Sequence, residues 1–243
     1  MHPTRANVLV CKNNEAVARE AAEQFTCAAV RSAAQRGEFH AAVPGGWSPR
    51  GMYKTLATPQ FASAVPWSQT QIFFTDERCV PPDHEESNYK LATDLLLAKV
   101  PIPDSNIHRF LAELAPDEAA ERYGQELRKA MGDTPRLDLV VLGMGKDTHT
   151  ASLFPHSPAL SEMGNLAVAN YVKNREVHRL TLTIPVLCRA ETILILALGY
   201  EKSGPLRQVL QGEHDPERHP VQAIQPAAGR LLWIVDQDAA SKL

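Results

Sequence analysis

Short, nearly continuous apolar runs recur along the chain, each separated from the next by a stretch rich in helix formers. Val8-Leu9-Val10, residues 39–43, Ile72-Phe73-Phe74-Thr75 and residues 137–142, 180–184, 193–198 and 231–235 have the length and composition of buried strands. Residues 16–34, 87–99 and 116–131 read as helices between them, with Asn14 placed to cap the first. Ser48-Pro49 reads as an N-cap followed by proline at the first helical position. Strands without polar alternation are expected where both faces of a sheet are covered. Alternation of such strands with helices predicts an α/β fold, a mostly parallel sheet with helices on both faces. Hydrophobic residues make up 44% of the 243, enough for a sizeable core. No linker, repeat or low-complexity tract interrupts the pattern, so residues 1–243 are expected to form one domain. Residues 157–174 and 211–219 show no clear period.

Charge and composition exclude several functions. Net charge is −3 with no basic run of five residues, which argues against nucleic acid, because a phosphate polyanion calls for clustered Lys and Arg. A small phosphorylated ligand needs only two or three local cations. The longest apolar run, 193–198, is far shorter than the ~20 residues of a membrane span, so no membrane association is expected. Residues 1–5 lack a signal-peptide core, and Cys11, Cys27, Cys79 and Cys188 form no close pair. Reduced thiols in a cytoplasmic protein are therefore expected. With no HExxH and no Cys pair at ligand spacing, no metal site is expected.

Four loops carry chemistry, each following an expected strand and so emerging at one edge of a parallel sheet. In Pro44-Gly45-Gly46-Trp47-Ser48-Pro49, Gly45 and Gly46 let backbone N–H groups approach an anion, and Ser48 offers a hydroxyl. A serine-hydrolase elbow is excluded, because Pro49 lacks the N–H that an oxyanion hole needs after the nucleophile. In Asp76-Glu77-Arg78, the Arg78 guanidinium has the planar fork of donors that suits phosphate, although charge runs are more often solvated surface. In Gly143-Met144-Gly145-Lys146-Asp147-Thr148-His149, a titratable His stands beside an Asp past an apolar strand. A dinucleotide fingerprint fails there, because its third glycine would fall at Thr148. In Gly199-Tyr200-Glu201-Lys202, a cation sits in the first turn of a helix, a place that favours it only beside an anion. Arg179 lies at the opposite end of its strand in a simple parallel reading.

Taken together, these segments resemble the 6-phosphogluconolactonases of the pentose phosphate pathway over nearly the whole length. The run from Leu142 to Pro155, Leu-Gly-Met-Gly-Lys-Asp-Thr-His-Thr-Ala-Ser-Leu-Phe-Pro, is similar to that family's LGxGxDGHTASLFP signature. Asp76-Glu77-Arg78 with Ser87-Asn88-Tyr89 is similar to its DER…SNY segment, and Gly45-Gly46 with Ser48-Pro49 to its SGGSTP loop. Arg179-Leu180-Thr181 and Gly199-Tyr200-Glu201-Lys202 match later family positions. The resemblance implies a Rossmann-like sheet and hydrolysis of 6-phospho-D-glucono-1,5-lactone without an organic cofactor, by a chain read here as a monomer. It makes His149 the general base toward water and Asp147 its partner. It makes Arg78, Arg179 and Lys202 candidates for phosphate or developing negative charge, with Gly45, Gly46 and Ser48 lining the site. A δ-lactone is an activated ester, so general-base help of ~10² to 10⁴-fold suits the task without a covalent nucleophile.

Thr148 stands where the signature has Gly, and Pro44 and Trp47 replace small hydroxyl residues of the first loop. If the backbone at 148 needs a positive φ, a β-branched residue there is strained. Two rivals remain. An amino-sugar-phosphate deaminase or isomerase would share the fold, but carries Asp-Glu-Tyr where this chain has Asp76-Glu77-Arg78. A non-catalytic sugar-phosphate-binding module is kept open by Thr148.

Overall fold

The computed structural model describes residues 7–173 and 176–243. Residues 1–5, read above for a signal peptide, and Asn174 lie outside the described residues. The strands are β1 (Asn7–Cys11), β2 (Phe39–Val43), β3 (Thr70–Phe74), β4 (Asp76–Arg78), β5 (Ile107–His108), β6 (Leu139–Gly143), β7 (Ala167–Val172), β8 (Val177–Leu182), β9 (Thr192–Ala197) and β10 (Arg230–Asp236). The helices are α1 (Asn14–Arg36), α2 (Arg50–Leu56), α3 (Pro59–Ala62), α4 (Asn88–Leu95), α5 (Pro116–Met131), α6 (Ile184–Cys188), α7 (Ser203–Gln211) and α8 (Gln237–Ala240).

Seven strands form one parallel sheet in the order β1-β10-β9-β6-β2-β3-β5. From β2 the chain builds outward through β3 and β5, and from β6 it builds the other way through β9 and β10. The strand order therefore reverses between β2 and β6, and a crevice opens there beyond the strands' carboxyl ends. All six residues of β9 and the first four of β6 are buried, which is why these segments are apolar without alternation. Burial of each Leu, Ile or Val side chain there contributes roughly 1.5–3 kcal/mol.

A second sheet, β4-β8-β7, is antiparallel and joins the same hydrophobic cluster through Leu180, Leu182 and Ala167. Helix α5 covers it. Ala119, Ala120, Tyr123, Gly124 and Leu127 recur at helical spacing along the buried stripe of α5, and Asp117 and Glu118 suit its amino end. The Tyr123 hydroxyl accepts the Phe74 N–H at 2.7 Å, fixing the end of β3 where the chain turns into β4.

Several expectations need correction. Residues 180–184 do not add a strand to the parallel sheet: β8 ends at Leu182 in the antiparallel sheet, and Ile184 opens α6. Asp76-Glu77-Arg78 is a strand, not a loop. Helix α1 is capped by Asn13, whose side chain accepts the Ala16 N–H at 2.9 Å, rather than by Asn14. Ser48 caps nothing: Pro49 holds the N-cap position of α2 without a side-chain bond. The helix expected over 87–99 ends at Leu95, followed by a 3₁₀ turn over Leu97–Lys99. The aperiodic stretch 157–174 contains β7.

Candidate active site

The loops after β2, β6 and β9, together with β4, which follows β3, converge on one cavity of about 270 Å³. Gly45, Gly46, Ser48, Arg78, His149 and Lys202 all line it, with Trp47, Asp76 and Asn88. Asp147 stands beside His149 rather than in the lining. A larger cleft of about 760 Å³ lies at the amino ends of β1 and β10, and among the described residues its titratable side chains are His214 and Arg230 alone. The smaller cavity is the one that gathers acid, base and cations.

The turn after β6 sets the imidazole. The Gly145 N–H donates to His149 O at 2.8 Å, and the Thr148 N–H to Gly145 O at 3.1 Å, closing a tight loop. Glycine is needed at 145 because a Cβ there would overlap the His149 ring and the Asp147 carboxylate. His149 Nδ1 hydrogen-bonds Asp147 Oδ1. An ionised carboxylate only accepts, so in the neutral imidazole Nδ1 carries the proton and Nε2 keeps its lone pair. The ring stacks on Phe154 with centroids 4.5 Å apart and stays 25% exposed, within reach of a substrate. Burial alone would raise the Asp147 pKa, but the hydrogen bond and charge of His149 outweigh it and hold the carboxyl below its usual range.

Thr148 adopts φ 66°, so the positive φ considered from the sequence is present. Left-handed backbone at a β-branched residue costs on the order of 1–3 kcal/mol. Its hydroxyl lies 2.6 Å from Asp147 O and 3.1 Å from His219 Nδ1.

The Asp-Glu-Arg strand divides three tasks. Asp76 accepts the Ser152 hydroxyl at 2.8 Å, tying this strand to the segment that follows His149. Glu77 turns inward and accepts from the N–H groups of Arg78, Asn88 and Tyr89 and from the Ser87 hydroxyl. Arg78 reaches the cavity while one guanidinium nitrogen donates to Glu86 O. Because β4 and β8 are antiparallel, Arg179 pairs directly with Arg78, so the two side chains share a face. This corrects the expectation that Arg179 lies at the far end. It does not line the cavity itself, but it adds positive charge beside Arg78. Burial lowers the Lys202 pKa; Glu201 opposes that shift and Lys146 adds to it.

Asn88 and Ser152 were assigned no role from sequence, and Trp47, noted there only as a departure, lines the cavity. Asn88 is buried, donates to Asp76 O at 2.8 Å, and presents an unpartnered Oδ1 beside Gly45, where a Cβ would collide with it. Trp47 stands 69% exposed at the rim, beneath the Arg50 guanidinium. Ser152 fastens the segment after His149 to β4. The signal for Asn88 and Ser152 lay in the SNY and ASLF runs, but which polar residue points inward is a tertiary property. Among the described residues, no three His, Cys, Asp or Glu side chains are grouped to hold a metal, and no helix is long and apolar enough to cross a membrane.

Residues 12–233 match the family described as glucosamine-6-phosphate isomerases/6-phosphogluconolactonase. A 6-phosphogluconolactonase of Synechocystis is 37% identical over 95% of this chain and 95% of its own. Among solved structures, one described as devB protein superposes with a TM-score of 0.90 at 33% identity, covering 98% of this chain and 99% of that one. The 6-phosphogluconolactonase of Trypanosoma cruzi superposes at 0.88 with 25% identity, covering 100% and 99%. By sequence along its length and by the course of its backbone, this chain belongs to the glucosamine-6-phosphate isomerase/6-phosphogluconolactonase family.

Proposed function

We propose that this chain hydrolyses 6-phospho-D-glucono-1,5-lactone to 6-phospho-D-gluconate, the lactone step of the oxidative pentose phosphate pathway. The observation that carries the mechanism is the Asp147–His149 pair in a cavity that also holds Arg78 and Lys202. His149 Nε2 takes a proton from water as the oxygen bonds to the lactone carbonyl carbon. The tetrahedral oxyanion then collapses, the carbon–ring-oxygen bond breaks, and the imidazolium returns its proton to that ring oxygen. The new carboxylic acid ionises in water. Asp147 holds the ring in its Nδ1–H tautomer and stabilises the imidazolium, while cations and N–H donors meet the developing charge. Arg78 and Lys202 grip the phosphate, Arg179 adds positive charge beside Arg78, and Gly45, Gly46 and Ser48 line the sugar-phosphate seat. The cavity's volume, about 270 Å³, suits one small polar ligand better than a dinucleotide.

The test is steady-state hydrolysis of freshly made lactone with the spontaneous rate subtracted. His149→Ala is expected to lower kcat by about two to four orders of magnitude. Near-normal kcat would remove His149 from the role, and ammonia release from glucosamine 6-phosphate would select the deaminase reading instead. The same reading includes a cytoplasmic location, which four unpaired cysteines support, and a monomer, which light scattering checks.

A further inference from the structure

We infer that His219 is a positioning residue for the catalytic turn: through the Thr148 hydroxyl it holds residue 148 in the left-handed conformation that sets Asp147 and His149. The inference rests on His149 being the base. Thr148 lies between the two members of the pair, at φ 66°, where a β-branched side chain is disfavoured. Such backbone persists only where its surroundings over-determine it.

The turn's own bonds are not enough to explain a threonine there, since a glycine would make the backbone ones as well. Besides a long contact of 3.5 Å from Thr148 Oγ1 to Arg218 O, two ties come from a segment some seventy residues downstream. The Val221 N–H donates to Thr148 O at 3.2 Å, and His219 Nδ1 meets Thr148 Oγ1 at 3.1 Å. The first needs no side chain; the second needs both. With the hydroxyl proton directed at Asp147 O, 2.6 Å away, His219 donates through Nδ1–H and the hydroxyl is satisfied on both sides. Thr148 and His219 are both buried, so water offers a poor substitute. His219 is itself fixed, its N–H donating to Asp215 O at 2.7 Å. A glycine at 148 would adopt this φ without strain but would leave His219 nothing to hold. Thr148 and His219 therefore act as one unit in place of a glycine.

A double-mutant cycle in the full-length enzyme tests this by steady-state kinetics. His219→Ala is expected to lower kcat about tenfold with KM changed by less than about twofold, the size of losing control of one strained residue. Thr148→Val keeps the β-branch but removes the hydroxyl, and is expected to reproduce that loss. His219→Asn offers an amide near the Nδ1 position and is expected to recover most of the rate. In a Thr148→Gly background, His219→Ala is expected to change kcat by less than about twofold, because the coupling is gone. If His219→Ala fails to fold, the Thr148→Val and His219→Asn arms decide the matter. Equal losses from His219→Ala in both backgrounds, or an effect confined to KM, overturn the inference. A near-normal rate in His149→Ala overturns the base reading and this inference with it. Additive effects beside an inactive His149→Ala overturn this inference alone.

Discussion

Asp147 and Lys202 show how single side chains tune the cavity. Replacing Asp147 by Asn keeps the shape but removes the acceptor-only partner that fixes the His149 tautomer. We expect Asp147→Asn to lower kcat roughly 10² to 10⁴-fold with little change in KM, measured by the same lactone assay. Because the Asp147 pKa is held below its ordinary value, its contribution to stability is present above the unfolded-state value and is lost as pH falls through the folded one. Lys202 shifts in the other sense for a cation. Burial lowers its pKa, so the ammonium loses its proton at a lower pH than an exposed lysine does. Affinity for 6-phospho-D-gluconate should therefore weaken as pH rises into that range. Lys202→Arg, which stays charged, should move this limb to higher pH. Titration calorimetry with the product checks both, and identical pH profiles for the two proteins would remove Lys202 from phosphate binding.

At the scale of elements, the three-residue strand β4 fixes more of the site than its length suggests. Glu77 joins it to the amino end of α4 by accepting from the Asn88 and Tyr89 N–H groups and the Ser87 hydroxyl, and it also accepts the Arg78 N–H within β4, all on buried or half-buried residues. Glu77→Ala leaves those donors unpaired, and we expect a loss of about 3 kcal/mol of stability in urea unfolding, with lactone hydrolysis falling in parallel. Sequence made the parallel sheet legible, because β2, β3, β6, β9 and β10 are apolar runs long enough to read singly. The second sheet was not legible for a physical reason. Asp76-Glu77-Arg78 has neither apolar alternation nor β propensity, and its strand state depends on Thr181, Leu180 and Arg179 being brought opposite it. The same gap misplaced Arg179, whose neighbour is set by antiparallel register rather than by chain direction. The His149 turn was legible because its chemistry is local: two glycines, an acid and an imidazole within seven residues. Its support from His219 was not, since nothing near 148 points to residue 219.

The whole molecule gathers the proposed ligand-binding groups from both sheets around the β2–β6 reversal. Gly45, Ser48, His149 and Lys202 come from loops of the parallel sheet, and Arg78 from the antiparallel one, with Arg179 opposite it. Two arginines paired across adjacent strands put like charges on one face, and a dianion held there would attract both. A ligand seated there also bridges the two sheets, so binding should register as global stability. At product concentrations of about 100 Kd, linkage supplies about 2.7 kcal/mol. For a chain of this size that corresponds to a rise in Tm of about 5–10 °C. Gluconate without the phosphate should give no comparable shift, and Arg78→Ala should lose most of it at the same product concentration. Differential scanning calorimetry decides the point. A shift of equal size with gluconate, or one that survives Arg78→Ala intact, would mean that the arginine-bearing sheet does not hold the phosphate and that the anion seat lies wholly in the loops of the parallel sheet.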